Sequence, residues 1–349
     1  MTTRDAQAKN APQSSAPTPS PGAAPTPTPT PTPAPAPGPV PGAWRHVLAA
    51  VALVATAPYL VLKAAWLSGS RIGIPDGSVL LEAGPFLTVA NAVTLAMDAC
   101  VILLVLVLTR PWGLRTPAWM LTVPVFTATG LLTPILLGFP GQLLVRALGF
   151  GDGPEVVAAR EPFLDSWVFV VVYTGFTIQG LALAALFVPY ARRRWGRRWQ
   201  GVVGERLPSP TGVVAAAAAS GALVLTALFL YWAFGGTAGL SAERAESYSA
   251  ESAVGSVAHA ICALAAGAGA LLLARGGALR ARWPLGLTWV GAAATLAWGA
   301  WMLNASLGPQ LGHGEGPSTA VQLIYAGQMV TGMLATAVLT RFLISRRES

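Results

Sequence analysis

Eight apolar runs, each long enough to cross a bilayer, dominate the chain after residue 42. A hydrocarbon core about 30 Å thick takes about 20 residues of helix. The runs fall at about 45–67, 86–109, 117–138, 165–189, 212–234, 254–274, 283–305 and 318–343. The expected fold is therefore all-α, a polytopic transmembrane helix bundle of about eight helices. The fifth and sixth runs are Ala-rich and read as the least secure. Composition agrees: 54% of the 349 residues are hydrophobic and only 10% are charged. A soluble domain carries about 25% charged residues, so an ordinary water-soluble enzyme is excluded.

The first 43 residues differ in kind. Thirteen prolines lie between Pro12 and Pro41, mostly in Pro-Thr and Pro-Ala repeats. Such a segment buries no core and is expected to be a disordered, polyproline-II-like tail. A plain solvated tail outweighs an SH3-type ligand. The organisation that follows is a tail over 1–43, a membrane half over 44–189, a basic linker over 190–211 and a second membrane half over 212–349.

The net charge of +8 does not indicate a nucleic-acid partner. Its placement follows the positive-inside rule. With the N-terminus cytoplasmic, 17 of the 22 basic residues and only Asp5, Glu205 and Glu348 among the acids fall on the cytoplasmic side. The opposite loops hold five basic residues and ten acidic ones. Both termini are expected to be cytoplasmic, in a bacterial inner (plasma) membrane. The linker carries Arg192, Arg193, Arg194, Arg197 and Arg198 interleaved with Trp195 and Trp199. Beside a membrane span, the expected partner of these arginines is the anionic lipid headgroup.

The chain also repeats itself. Trp66-x2-Gly69-x3-Gly73 recurs as Trp232-x2-Gly235-x3-Gly239, 166 residues later. Arg110 and Arg115 match Arg275 and Arg280 at an offset of 165. Tyr173-x-Gly175-x4-Gly180 recurs as Tyr325-x-Gly327-x4-Gly332. Three matches in one order indicate two four-helix halves. Four is even, so the halves enter the membrane the same way round, as parallel repeats. The tyrosines and glycines, with Gln179 and Gln328, read as helix-packing residues.

Within the spans, Asp98 stands out as the one acid, near the middle of the second run. An ionisable group there is expensive, about 3 kcal/mol on insertion scales, and is a functional candidate by default. Asn91 and Thr94 precede it by seven and four residues, on the same helical face. Lys63 lies at about the depth of Asn91, though outward snorkelling is the favoured reading of it. In the second half, Ser256 and His259 replace Asn91 and Thr94, and Ala263 replaces Asp98. His259 is a further candidate, titratable near neutral pH if solvated. Asp98, Asn91, Thr94, Lys63 and His259 form the candidate polar site.

Other chemistries are absent from the pattern. Neither lysine sits in a P-loop frame, no HExxH or G-x-S-x-G occurs, and His313 and Glu315 have no cysteine pair beside them. Cys100 and Cys262 lie in apolar runs and read as packing residues. No metal, cofactor or catalytic residue is expected, and an enzyme is the reading with least behind it. Ala57-Pro58-Tyr59-Leu60, Lys63, Trp66, Gly73, Asn91, Asp98, Arg110-Pro111-Trp112-Gly113 and Pro117-Ala118-Trp119 resemble uncharacterised multi-pass membrane proteins of actinobacteria. The resemblance covers most of 45–345 and implies no activity. Two functions compete on the sequence: a small-molecule or ion-coupled permease with a site near Asp98 between the halves, and a non-transporting scaffold or regulatory partner.

Overall fold

The structure, a computed structural model, describes residues 42–81, 84–151, 163–246, 248–308 and 316–348. The Pro-rich tail up to residue 41, Arg160, His313 and Glu315 lie outside the described residues. Eight long helices make up the body: α1 Ala43–Leu67, α2 Gly84–Thr109, α3 Ala118–Ala147, α4 Ser166–Trp195, α5 Thr211–Ala233, α6 Ala250–Arg275, α7 Arg282–Leu307 and α8 Thr319–Glu348. At 1.5 Å per residue, 23 to 30 residues give roughly 35–45 Å, enough to cross the hydrocarbon layer with a turn to spare. Val54, Leu223 and Leu323 are 70%, 64% and 68% exposed on the outside of the body, where acyl chains would cover them.

Seven of these helices are long and apolar enough to cross a membrane. The Ala-rich α5 and α6 are secure, with mean hydropathies of 2.3 and 2.0. The weak one is α7, whose tryptophans, glycines and threonines lower its hydropathy. It is packed among its neighbours. Gly291 of α7 packs on Ala265 and Ala266 of α6, Gly269 of α6 on Thr288, and Gly299 and Leu296 of α7 on Gln328 and Gly332 of α8. A helix sheathed on three sides by protein does not have to be lipophilic itself.

The repeat is visible atom by atom. Trp66 Nε1 donates to Ile72 O at 2.8 Å, and Trp232 Nε1 donates to Ala238 O at 3.1 Å. The helix ends match as well: Gly69 N–H reaches Trp66 O and Ser70 N–H reaches Ala65 O, while Gly235 N–H reaches Trp232 O and Gly236 N–H reaches Tyr231 O. Gly69 and Gly235 both take positive φ, 90° and 86°, which only glycine adopts cheaply. Each hook turns the chain back at the same end of the bundle. In each half, the first glycine of the Tyr-x-Gly-x4-Gly motif faces the first helix of that half and the second faces the third. Gly175 meets Ala55 and Gly180 meets Leu132 and Leu136; Gly327 meets Leu225 and Gly332 meets Leu296.

The halves meet along α3 and α7, corresponding helices that run parallel. Phe126 packs edge-on against Trp289 (5.1 Å), Gly130 against Ala293 and Ala297, and Trp298 Nε1 donates to Leu131 O at 3.0 Å. At the hook end, Arg146 of α3 pairs with the buried Glu251 of α6, and Gln142 Nε2 donates to Glu251 O. The opposite end is tied by the linker. There β1 (Val202–Gly204) pairs antiparallel with β2 (Gly277–Arg280), and Arg346 donates to Val202 O and Val203 O. So the Arg110/Arg115 and Arg275/Arg280 turns, alike in sequence, fold differently: a 3-10 turn in one half, a strand in the other.

A Cβ built on Gly130 would stand 2.7 Å from Ala297 Cβ. Gly130→Leu is expected to destabilise by about 1–3 kcal/mol through overpacking. Gly138→Ala, whose Cβ meets nothing within 4 Å, should be near neutral. Thermal unfolding in detergent compares the two.

Candidate functional site

A polar ladder connects α1 and α2. The helices are antiparallel neighbours, so Lys63 stands level with Asn91, Tyr59 with Thr94, and Thr56 with Asp98. The spacings, 4 and 3 on α1 against 3 and 4 on α2, keep each set on one helical face. Lys63 Nζ donates to Asn91 Oδ1 at 2.7 Å, and both residues are buried. This corrects the snorkelling expectation: Lys63 turns inward. Its ammonium also lies 4.9 Å from the Tyr59 ring centroid and 5.1 Å from that of Trp66, an aromatic cradle that replaces part of its water shell. Thr94 Oγ1 donates within its own helix, to Ala90 O and Asn91 O, and also meets the Tyr59 hydroxyl across the helix pair, whereas Thr56 Oγ1 donates to Ala52 O of its own helix.

Asp98 is the innermost rung. It is 5% exposed, and its Oδ2 is buried without a hydrogen-bond partner. Seven residues of helix put it about 10 Å deeper than Asn91. Lys63 and Asp98 act on each other electrostatically, and the ammonium of Lys63 directs one of its three N–H donors to Asn91 Oδ1. Tyr59 lies against Thr94, within electrostatic reach of Asp98 and of Tyr173 on α4. Phe176 of α4 closes the cluster, edge-on to Tyr59 at 5.0 Å. The site therefore sits inside the first half, among α1, α2 and α4. The expected position between the halves is wrong, because the polar face of α2 turns toward α1.

The structure brings Lys63, Asn91, Thr94 and Asp98 together and leaves His259 apart. The His259 ring stacks on Phe229 (5.3 Å) and meets Trp298 edge-on (5.4 Å) in the second half. There the α1 rungs are replaced. Ala222, Leu225 and Phe229 stand 166 residues after Thr56, Tyr59 and Lys63; Ala222 is buried, and Leu225 and Phe229 build an apolar core with Ala260 and Ala263. Thr56, Tyr59 and Tyr173 were missed as site residues, although the Thr56-x2-Tyr59-x3-Lys63 spacing carried the signal. Gln179, on α4, is also buried, with Oε1 unpartnered.

The arginines divide. Arg194 Nη1 donates to Tyr190 Oη at 2.7 Å and to Gly113 O, and Nη2 donates to Thr116 O. It pins the α2–α3 turn onto α4, so its guanidinium is directed inward rather than at a headgroup. Arg192, Arg193 and Arg197 are exposed. Arg198 lines a crevice between the halves. Cys262 is buried, whereas Cys100 faces outward. Among the described residues, no group of three His, Cys, Asp or Glu is placed to hold a metal. The chain matches no protein-family model, no curated protein and no solved structure.

Removing the acceptor for Lys63 tests the ladder. Asn91→Leu strands a buried ammonium and is expected to destabilise by about 1–3 kcal/mol. The Lys63→Met change should recover much of that in the double variant. Melting of the two single variants and the double gives the coupling energy, expected at about 1 kcal/mol or more.

Proposed function

We propose that this multi-pass membrane protein is an ion-coupled permease for a small solute, with Asp98 as its proton-exchanging group. The observation that carries the reading is the buried, partnerless Asp98 Oδ2 at the inner end of a polar ladder. In hydrocarbon, a carboxyl oxygen without a donor is satisfied by taking up a proton or a cation. Lys63, Asn91, Tyr59 and Thr94 lead from the hook end of the bundle toward it, one helical turn per step. A relay of that form carries charge partway across a membrane and stops. The rest of the path has to open by motion of α2 against α1 and α4, which is where solute movement would couple to protonation.

The proposed setting is the cell membrane, with both termini on the basic side. A second reading has a specific observation behind it. The ladder is closed and lies within one half, as expected if it only holds α1, α2 and α4 together in a membrane scaffold.

Proteoliposomes enclosing a pH-sensitive dye separate the two. The permease reading expects at least one solute from a panel of sugars, amino acids and cations to drive proton movement. Asp98→Asn should abolish it and Asp76→Asn, on the exposed hook-end loop, should not. Under the scaffold reading no solute moves protons, and Asp98→Asn melts at or above the wild-type temperature.

A further inference from the structure

A crevice of about 400 Å³ separates the halves, walled by α3 and α4 on one side and α7 on the other. It has no part in the Asp98 ladder. On α3 it runs from Ala118 to Leu136. Eighteen residues of helix make that roughly 27 Å, close to the 30 Å or so of the hydrocarbon layer. The wall is almost wholly apolar, with Leu183 and Phe187 of α4 facing Leu285 and Trp289 of α7. Its threonines are turned to their own helices: Thr122 donates to Ala118 O, Thr129 to Val125 O and Thr133 to Thr129 O. A polar solute finds little to bind along this wall. A long narrow apolar chain finds a continuous surface.

Charge enters at one end only. Arg198 and Arg282 stand at the linker-side mouth, with Trp195 and Trp199 beside them. Arg282 also lies over the Trp283 ring, 5.1 Å from its centroid. Two guanidinium groups and two indoles at headgroup depth, above an apolar slot deep enough to take the whole of one leaflet's acyl chain, about half of the 30 Å or so layer, are complementary to an anionic amphiphile. We propose that the crevice holds one anionic phospholipid. An acyl chain lies between α3 and α7, and the phosphate sits between Arg198 and Arg282. The lipid then fills the seam where the two halves meet, and it does so on the leaflet that faces the linker.

Gly286 provides the test. It lines the crevice, and a Cβ built on it meets nothing within 4 Å. A side chain there starts in open space at the wall of the acyl slot, so a phenyl ring at this position competes with an acyl chain for it. The measurement is native mass spectrometry of the full chain in detergent, with phosphatidylglycerol and phosphatidylcholine as probes. The wild type is expected to retain one phosphatidylglycerol, with at least about tenfold preference over phosphatidylcholine (about 1.4 kcal/mol). Gly286→Phe should lose it, and Asp98→Asn should keep it. The double variant Arg198→Gln/Arg282→Gln should lose the preference but keep binding at the phosphatidylcholine level. Equal retention of both lipids by the wild type overturns the proposal, as does undiminished phosphatidylglycerol on a folded Gly286→Phe. A lipid-free dimer assigns the crevice to a second copy of the chain and also overturns it. If Gly286→Phe does not fold, the arginine double variant decides alone: unchanged preference is contradictory, lost preference supportive.

Discussion

In a hydrocarbon layer, every polar group that is not hydrogen-bonded by the protein itself is left without a partner. Most features of this molecule answer to that constraint. Among the described residues, most of the backbone is taken up in eight long helices, each longer than the layer is thick. Where α1 and α5 end, the freed carbonyls are caught by a turn closing on a positive-φ glycine, and an indole N–H reaches over to Ile72 or Ala238. The hydroxyls of Thr56, Thr94, Thr129 and Thr226 fold back onto carbonyls of their own helices. Lys63 has Asn91. Against this background Asp98 Oδ2, Gln179 Oε1 and Thr295 Oγ1 are exceptions among the described residues, and Asp98 is the ionisable one of the three, the kind of intramembrane group that is a functional candidate by default.

The repeat gives the exception a control within the same chain. Both halves use the same hook, the same pair of helix-approach glycines and the same helix order. The second half puts Ala222, Leu225, Phe229 and Ala263 at the positions of Thr56, Tyr59, Lys63 and Asp98, and keeps polar groups, Ser256 and His259, at those of Asn91 and Thr94. The scaffold therefore does not need the ionisable pair Lys63 and Asp98 in order to fold. The presence of that pair in the first half alone separates chemistry from architecture more sharply than either half would by itself. The seam between the halves is built from small residues, Gly130 on Ala293 and Ala297. It leaves an apolar crevice rather than an aqueous one.

Much of this was legible in the sequence because it is local. Span length, the Trp-x2-Gly-x3-Gly hooks and the face shared by Asn91, Thr94 and Asp98 follow from helical periodicity and turn chemistry. What was not legible depends on which helix packs beside which. Lys63 reads as a snorkelling residue until α2 presents Asn91 to it. Arg194 reads as one more headgroup contact until Gly113 and Thr116 come within its reach. The low hydropathy of α7 makes sense only once α3, α6 and α8 surround it. Asp98 was found from sequence, but its place inside one half, rather than between the two, was set by the direction in which the polar face of α2 turns.

The permease function proposed for this protein depends on Asp98 exchanging a proton. Infrared difference spectroscopy of the protein in lipid, stepped in pH across neutrality, reads that carboxyl directly. A carboxylic-acid C=O band that changes with the step and is missing from Asp98→Asn is the expected result. Difference spectra that are the same for the wild type and Asp98→Asn would contradict it.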